Sequence, residues 1–405
     1  MKIVFYSSSS NSYQKENFEI TIIPSLEKQW QDFCQAYKED EFYTVSQGQA
    51  MFMPQGRNNF FLEDQADVKA FVRKIKELKA DLAIALSFWV RPYDWLTVKD
   101  AMIADGLKEL GIKTICHPQE AALICFDKYK TMNFLEAKGF NHAPGFLVDH
   151  ELFFCAQNQP DVIENLYKEA VFDQLRKAQY PLIIKNPVGL SSYGMTVVNN
   201  FDQAYAYLNS KKNNFSRLIE KYIQGQQFGT EIYGLDGKYT VMPPFSLSVN
   251  QYGITSPKLC RKEGPLTDQP DQSDQSYKLD QLYSELTRLA GLLKLQGLAQ
   301  VDLVWGGGKW YIIEINPRLS GMTTTYAAAA SMNLYEYIYT ALFNSQSLPA
   351  RLKKVVNKKI PLQTKEELIK LKADQNVLFI SQIKNLAALQ ERERGYCELI
   401  CREAF

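Results

Sequence analysis

A chain of 405 residues, 46% apolar and 22% charged, has the size and composition of about two or three soluble domains with a sizeable core. Lys and Arg number 46 against 45 Asp and Glu, a net charge of +1, so no global field draws nucleic acid or a membrane surface and any anion site must be local. No apolar run approaches the ~20 residues of a membrane span, and MKIVFYSSSS is too short in apolar residues for a signal peptide. The seven scattered Cys, without a CxxC, point to reduced thiols in a cytoplasmic protein.

In chain order, Lys2–Ser7 reads as a strand and Ala66–Leu78 as a helix with Val68, Phe71, Val72, Ile75 and Leu78 on one face. Asp81–Leu86 is a second strand, Val98–Leu110 a helix ending at Gly111, and Lys113–Cys116 a third strand. Strands alternating with helices favour a parallel sheet. The serine-rich segment after the first strand stands where such sheets take ligands, though it also reads as a plain loop.

Gln119–Phe140 is helical with a break near Asp127, so Lys128 opens a new helical run. PLIIKNPVGLSSYGMTVV follows as strand Pro181–Lys185, loop Asn186–Gly194 and strand Met195–Val198. Gly189, Ser191, Ser192 and Gly194 make a donor-rich turn able to fold over phosphate, or simply a turn. Lys185, inside an apolar strand, suits a partly buried cation awaiting an anion.

Phe201–Asn209 reads as a short helix, RLIEKYIQG as a strand, and Glu231–Met242 as a hairpin turning at Asp236–Gly237. Ser256–Pro265 is a basic loop with Lys258, Arg261 and Lys262, and Tyr277–Leu295 a helix. Next comes LAQVDLVWGGGKWYIIEINPRLSGMTTT, Leu298–Thr325: two apolar-rich strands, Ala299–Trp305 and Trp310–Ile315, across a glycine turn. Glu314 and Asn316 share a face, and with the turn centred near Gly308, Asp302 stands opposite Glu314, roughly 5 Å between Cβ atoms. Two carboxylates and an amide are a hard-oxygen set for Mg²⁺ or Mn²⁺, with Arg318 in reach of an anion on that metal; taken alone the acids also fit a solvated face. Thr323–Phe343 is one alanine-rich helix, Arg351–Lys359 a basic linker, and Asn376–Ile380 a late strand.

These pieces, in this order, resemble the ATP-grasp superfamily of the carboxylate–amine ligase type, over about residues 80–345. The hairpin, PLIIKNPVGLSSYGM and LIEKYIQGQQF carry the likeness. ICHPQEAALICFDKYKTMNFLEAKGFNHAPGF looks like the entry to that domain in D-alanine–D-alanine ligases, and the pattern also resembles biotin carboxylase-like enzymes. The implied fold is α/β, with α+β character in the ATP-grasp part. An N-terminal parallel-sheet domain (1–120) precedes a small lobe with a glycine-rich lid (121–222), a large lobe with the metal site (223–345) and a C-terminal extension (346–405).

The resemblance implies that Lys128 and Lys185 hold the α- and β-phosphates of ATP and that the Gly189–Met195 loop, with Ser191, Ser192 and Gly194, closes over the β/γ-phosphates. Glu220, Lys221, Tyr222 and Ile223 would form the hinge that reads adenine, with Leu303 and Ile313 packed near the base. Asp302, Glu314 and Asn316 would bind two Mg²⁺, Mn²⁺ being an alternative. Arg318 and the Gly321 backbone would stabilise a developing oxyanion, with Lys258 and Arg261 as γ-phosphate cations. The family places an acid after the hinge for the ribose; here Gln226–Gln227 stand there, so Gln227 or Glu231 would take that part. The implied chemistry activates a carboxylate as an acyl phosphate and joins it to an amine, with small-molecule substrates, no nucleic acid or membrane partner, and a homodimer as an option. The alternatives are an enzyme using bicarbonate or formate, and a nucleotide-binding regulator without turnover.

Overall fold

The computed structural model describes residues 1–9, 18–48, 53–63, 66–88, 96–155, 161, 163–189, 195–248, 261–266, 277–349, 351–361, 364–385 and 395–402. The chain opens with β1 (Lys2–Ser7), β2 (Phe18–Ile23), α1 (Leu26–Ala36), β3 (Glu41–Gln47), β4 (Asn59–Leu62), α2 (Val68–Glu77), β5 (Leu82–Ala85), α3 (Leu96–Lys108) and β6 (Lys113–Ile115). All these strands except β2 form a parallel sheet in the order β4-β3-β1-β5-β6. Residues alternate across β1: Val4 and Tyr6 pack on Phe71, Ile75, Ile103 and Leu107, while Ile3 and Phe5 pack on Trp30 and Phe33. Both faces are therefore covered, as a parallel sheet requires.

The helical run after β6 divides where the sequence suggests, into α4 (Gln119–Phe126) and α5 (Lys128–Ala137). The Asp127 carboxylate accepts from the backbone N–H of Tyr129 at 2.8 Å and caps α5. Then follow β7 (Gly145–Val148), α6 (His150–Phe153), α7 (Leu166–Lys177), β8 (Leu182–Lys185), β9 (Thr196–Val198), α8 (Phe201–Leu208) and β10 (Arg217–Lys221). The four strands make an antiparallel sheet, β7-β10-β8-β9, over which Phe172 and Leu175 of α7 and Ala204 and Leu208 of α8 close one core.

The remaining elements are β11 (Gln226–Leu235), β12 (Lys238–Val241), β13 (Phe245–Leu247), β14 (Arg261–Gly264), α9 (Leu279–Leu293), β15 (Gly297–Gly306), β16 (Lys309–Asn316), α10 (Gly321–Ala330), α11 (Leu334–Phe343), β17 (Val355–Pro361), α12 (Lys365–Ala373), β18 (Val377–Asn385) and β19 (Gly395–Arg402). They build a ten-stranded antiparallel sheet ordered β16-β15-β11-β13-β14-β17-β19-β18-β2, with β12 on β11, so β2 closes its far edge.

Three sequence expectations are corrected here. Arg261–Gly264 of the expected basic loop is a strand, because β13 and β17 flank it. The expected linker becomes β17 from Val355 onward, paired with β14 and β19. The single alanine-rich helix is two: Ser331 takes φ 58°, and Asn333 caps α11 through the Glu336 N–H at 2.9 Å. Among the described residues no helix is long and apolar enough to cross a membrane, and the six described cysteines are free thiols.

Candidate active site

The β15–β16 hairpin turns through Gly307 and Gly308, at φ 57° and 74°, the two left-handed positions a two-residue turn needs. From that turn the ladder runs Gly306↔Lys309 to Leu303↔Ile312, then slips by one residue so that Asp302 opposes Glu314 and Gln300 opposes Asn316. Without the slip Asp302 would oppose Ile313. The turn thus centres between the two glycines rather than on Gly308, and a β-bulge restores the carboxylate pair.

Asp302 is raised to about 6, first by burial and then by the neighbouring Glu314 charge, while Gln300 donates to its Oδ1 at 2.7 Å. Burial also opposes ionisation of Glu314, but Lys128, Lys185 and Arg318 outweigh it and hold that carboxyl below its ordinary value. Asn316 Oδ1 accepts from Arg318 at 3.1 Å. A repelling carboxylate pair beside an amide oxygen fits a hard divalent cation, which would relieve the repulsion. No cluster of three or more Asp, Glu, His or Cys that could hold a metal occurs among the described residues, so further donors would come from Asn316, a ligand or water.

Lys128, at the first turn of α5, is far from a solvated helix lysine. Its Nζ donates to the Gly189 carbonyl at 2.7 Å and pairs with Glu314 at 3.1 Å. Lys185 is 5% exposed and pairs with Glu220 at 2.5 Å. A cavity between the antiparallel lobe and the hairpin is lined by these residues together with Gly189, Met195, Lys221, Tyr222, Ile223, Gln227, Asp302, Leu303 and Ile313. The chain after Ile223 presses so closely on the hairpin that a Cβ at Gly225 would lie 2.1 Å from the Trp305 carbonyl oxygen.

Other expected residues lie elsewhere. Glu231, an expected ribose ligand, is fully buried; Tyr233, Ser320 and Thr323 donate to its carboxylate at 2.6, 2.8 and 2.6 Å. It anchors the start of α10, and burial, against those donors and Lys262, raises its pKa. Arg261 is exposed and pairs with Glu263. Ser191, Ser192, Gly194 and Lys258 lie outside the described residues. The cation that does meet the Gly321 end is Lys262, whose Nζ donates to the Gly321 carbonyl at 3.1 Å. Glu398 of β19 stands 3.7 Å from Lys262 and accepts from Asn357 at 2.7 Å. Strand alternation separates Lys262 from Arg261, a signal hidden when the segment is read as a loop. Glu398 and Asn357 carry no local signal at all.

A paired acidic face between recessed lysines suits a metal-bound polyphosphate. Residues 125–322 match the family model described as an ATP-grasp domain, and this part of the chain is an ATP-grasp domain. The arginine-specific carbamoyl phosphate synthase large chain of Halalkalibacterium halodurans is 20% identical over 264 residues, 65% of this chain but only 23% of that protein. The L-amino acid ligase of Bacillus licheniformis superposes with a TM-score of 0.66 at 15% identity, covering 99% of this chain and 93% of that one. The biotin carboxylase domain of the 2-oxoglutarate carboxylase from Hydrogenobacter thermophilus, solved with MgADP and bicarbonate, gives 0.60 at 12% identity, covering 99% and 86%. The fold is that of the ATP-grasp enzymes.

Proposed function

We propose that the chain is an ATP-dependent ligase that activates a carboxylate as an acyl phosphate and joins it to an amine, with an amino acid as one substrate. The observation that carries this reading is the Asp302–Glu314 pair facing a cavity bounded by Lys128 and Lys185. The whole-length likeness to an L-amino acid ligase supports the amino acid.

Attack of a carboxylate oxygen on the γ-phosphorus of ATP forms one O–P bond and breaks the β,γ-bridging bond, releasing ADP. The amine nitrogen then attacks the acyl carbon, the C–N bond forms, phosphate leaves with the electron pair of the broken C–O bond, and the nitrogen gives up a proton. Anion meets polyanion in the first step, so fixed cations must offset the repulsion. Lys128 and Lys185 supply this at the phosphates, each already aimed by a partner. Arg318, which donates to Asn316, and Lys262, which donates to the Gly321 carbonyl, would serve the carboxylate end. Asp302, Glu314 and Asn316 would hold Mg²⁺, which when bound neutralises phosphate charge and orients the transferred group. The buried pair Lys185–Glu220 keeps its lysine from drifting off, since an uncompensated buried charge is costly.

The test is release of ADP and phosphate with Mg²⁺ and amino acids supplied singly and in pairs, for the natural chain and Glu314→Ala. Product that needs a specific pair and vanishes in the variant supports the ligase. ADP formed with bicarbonate or formate alone overturns it in favour of the chemistry those anions undergo. Tight ATP binding without product under every mixture leaves a nucleotide-binding regulator.

A further inference from the structure

A buried cation of the small lobe takes no part in the mechanism above and meets no carboxylate among the described residues. Arg217, at the start of β10, is 3% exposed. Its guanidinium donates to the side-chain oxygens of Asn186 and Asn214 and to the Lys212 carbonyl, all neutral acceptors. Its Nε is buried without a hydrogen-bond partner. The rings of Tyr207 and Phe215, with centroids 6.0 and 5.9 Å from Cζ, lie beside the charge without neutralising it. A buried guanidinium met only by neutral oxygens is costly, so the charge exceeds what the local fold needs.

The β8–β10 ladder ends at Lys185↔Leu218, which places Asn186 and Arg217 side by side one residue further on. Alternation sets Arg217 on the face opposite Lys185, toward Tyr207 of α8. Asn186 stands at the corner where the chain leaves β8: the next carbonyl, of Pro187, accepts from the Lys128 N–H at 2.8 Å. Asn186 is half-buried and lines the nucleotide cavity beside Lys185 and Gly189. A guanidinium has donors only, so the amide must turn its oxygen to Arg217 and its NH₂ group away from it. Nδ2 has no partner among the described residues. The pull of the guanidinium on Oδ1 makes the Nδ2 hydrogens stronger donors.

We propose that Asn186 is a phosphate ligand for ATP, donating an Nδ2 N–H to a phosphate oxygen, and that Arg217 is its positioning residue. Arg217 orients the amide, and the polyphosphate brings nearby the negative charge that the buried cation lacks. This contact rests on the reading of the cavity as an ATP site and is indifferent to the carboxylate and amine used afterwards.

Dissociation constants for MgATP and for adenosine, which has no phosphate, are measured by titration calorimetry on the natural full chain, Asn186→Ala, Arg217→Met, Arg217→Lys and the Asn186→Ala/Arg217→Met double variant. The expected result is about tenfold weaker MgATP in Asn186→Ala and Arg217→Met, with adenosine unchanged. The double variant is no weaker than the poorer single, because Arg217 acts through Asn186. Arg217→Lys, which keeps a charge and a donor, recovers part of the affinity. Should Arg217→Met misfold, the half-buried Asn186→Ala decides alone. Unchanged MgATP affinity in Asn186→Ala, or equal weakening of MgATP and adenosine, overturns the contact. Weakening in Asn186→Ala with Arg217→Met unaffected removes Arg217 from it. A natural protein that binds no MgATP overturns the ATP reading together with the contact. MgATP bound in an Asn186-dependent way without any ligase product keeps the contact and discards the ligase chemistry alone.

Discussion

Asp100→Asn tests what a buried carboxyl costs the fold, with a magnitude that follows from the carboxyl's surroundings. Burial is the largest influence, raising the group from 3.8 to about 6 against the lowering effect of Ser8 and Ser87. Its folded pKa lies above the unfolded value, so the native chain holds a proton that the unfolded chain has lost. The stability this confers is full below 3.8 and is lost as pH rises through about 6. The difference, roughly 2.2 units at about 1.36 kcal/mol each, amounts to about 3 kcal/mol. Asparagine carries no charge at any pH. The variant should therefore match the natural protein in acid and exceed it by about 3 kcal/mol at neutral pH and above. Urea unfolding followed by tryptophan fluorescence across this range measures it, the two proteins sharing one m-value. A difference that stays constant with pH, or a variant less stable at neutral pH, would refute the reasoning. Either result would mean that the buried charge is already compensated.

Two further outcomes follow from buried partners. Glu398→Gln removes the anion that, with Asn357, steadies Lys262; kcat should fall about tenfold with the KM for ATP unchanged, and an unaltered kcat would show that the Gly321 carbonyl suffices. In the Asp100→Asn background His117 adds to the acid lability that the lowered carboxyls of Glu314 and Glu398 also confer. Burial lowers His117 from 6.5 to about 4 despite the bond to Leu298, so stability is present above 6.5 and is lost as pH falls through about 4. Roughly 2.5 units correspond to about 3 kcal/mol, and a flat urea midpoint over that window would exclude the effect.

What was legible in the sequence was local. Glycines at the turn and alternation along the arms give the β15–β16 hairpin, and the break at Asp127 is a side-chain cap readable from its own neighbours. The bulge that sets Asp302 against Glu314 is not readable, because Ile312 and Ile313 are chemically alike and only the ladder decides which is extra. Glu231 misled because it follows Gln227 on the same face of β11. Four residues along a strand is about 13 Å, which carries it past the cavity to the foot of α10. Lys262, Glu398 and Asn357 meet only because β14, β17 and β19 are neighbours in the sheet. The strands and helix between Phe18 and Leu62 were not anticipated, since their packing partners include Tyr335 and the strand near Ile380.

The far edge of the ten-stranded sheet bears on how such a chain is made. β2 pairs with β18 from Phe18↔Asn385 to Ile23↔Ile380, so among the described residues this strand meets its sheet partner only after the long stretch between them has been synthesised. On the ribosome the parallel unit around β1 can assemble early from its own neighbours, while β2 waits as an uncovered backbone edge. Such edges invite pairing with the wrong chain. Closing this seam across so great a sequence separation is a slow, non-local event. The hazard during synthesis is therefore greatest for a segment that ends up remote from the nucleotide cavity, and a chaperone shielding residues near β2 would act on yield while leaving the finished site's chemistry unchanged.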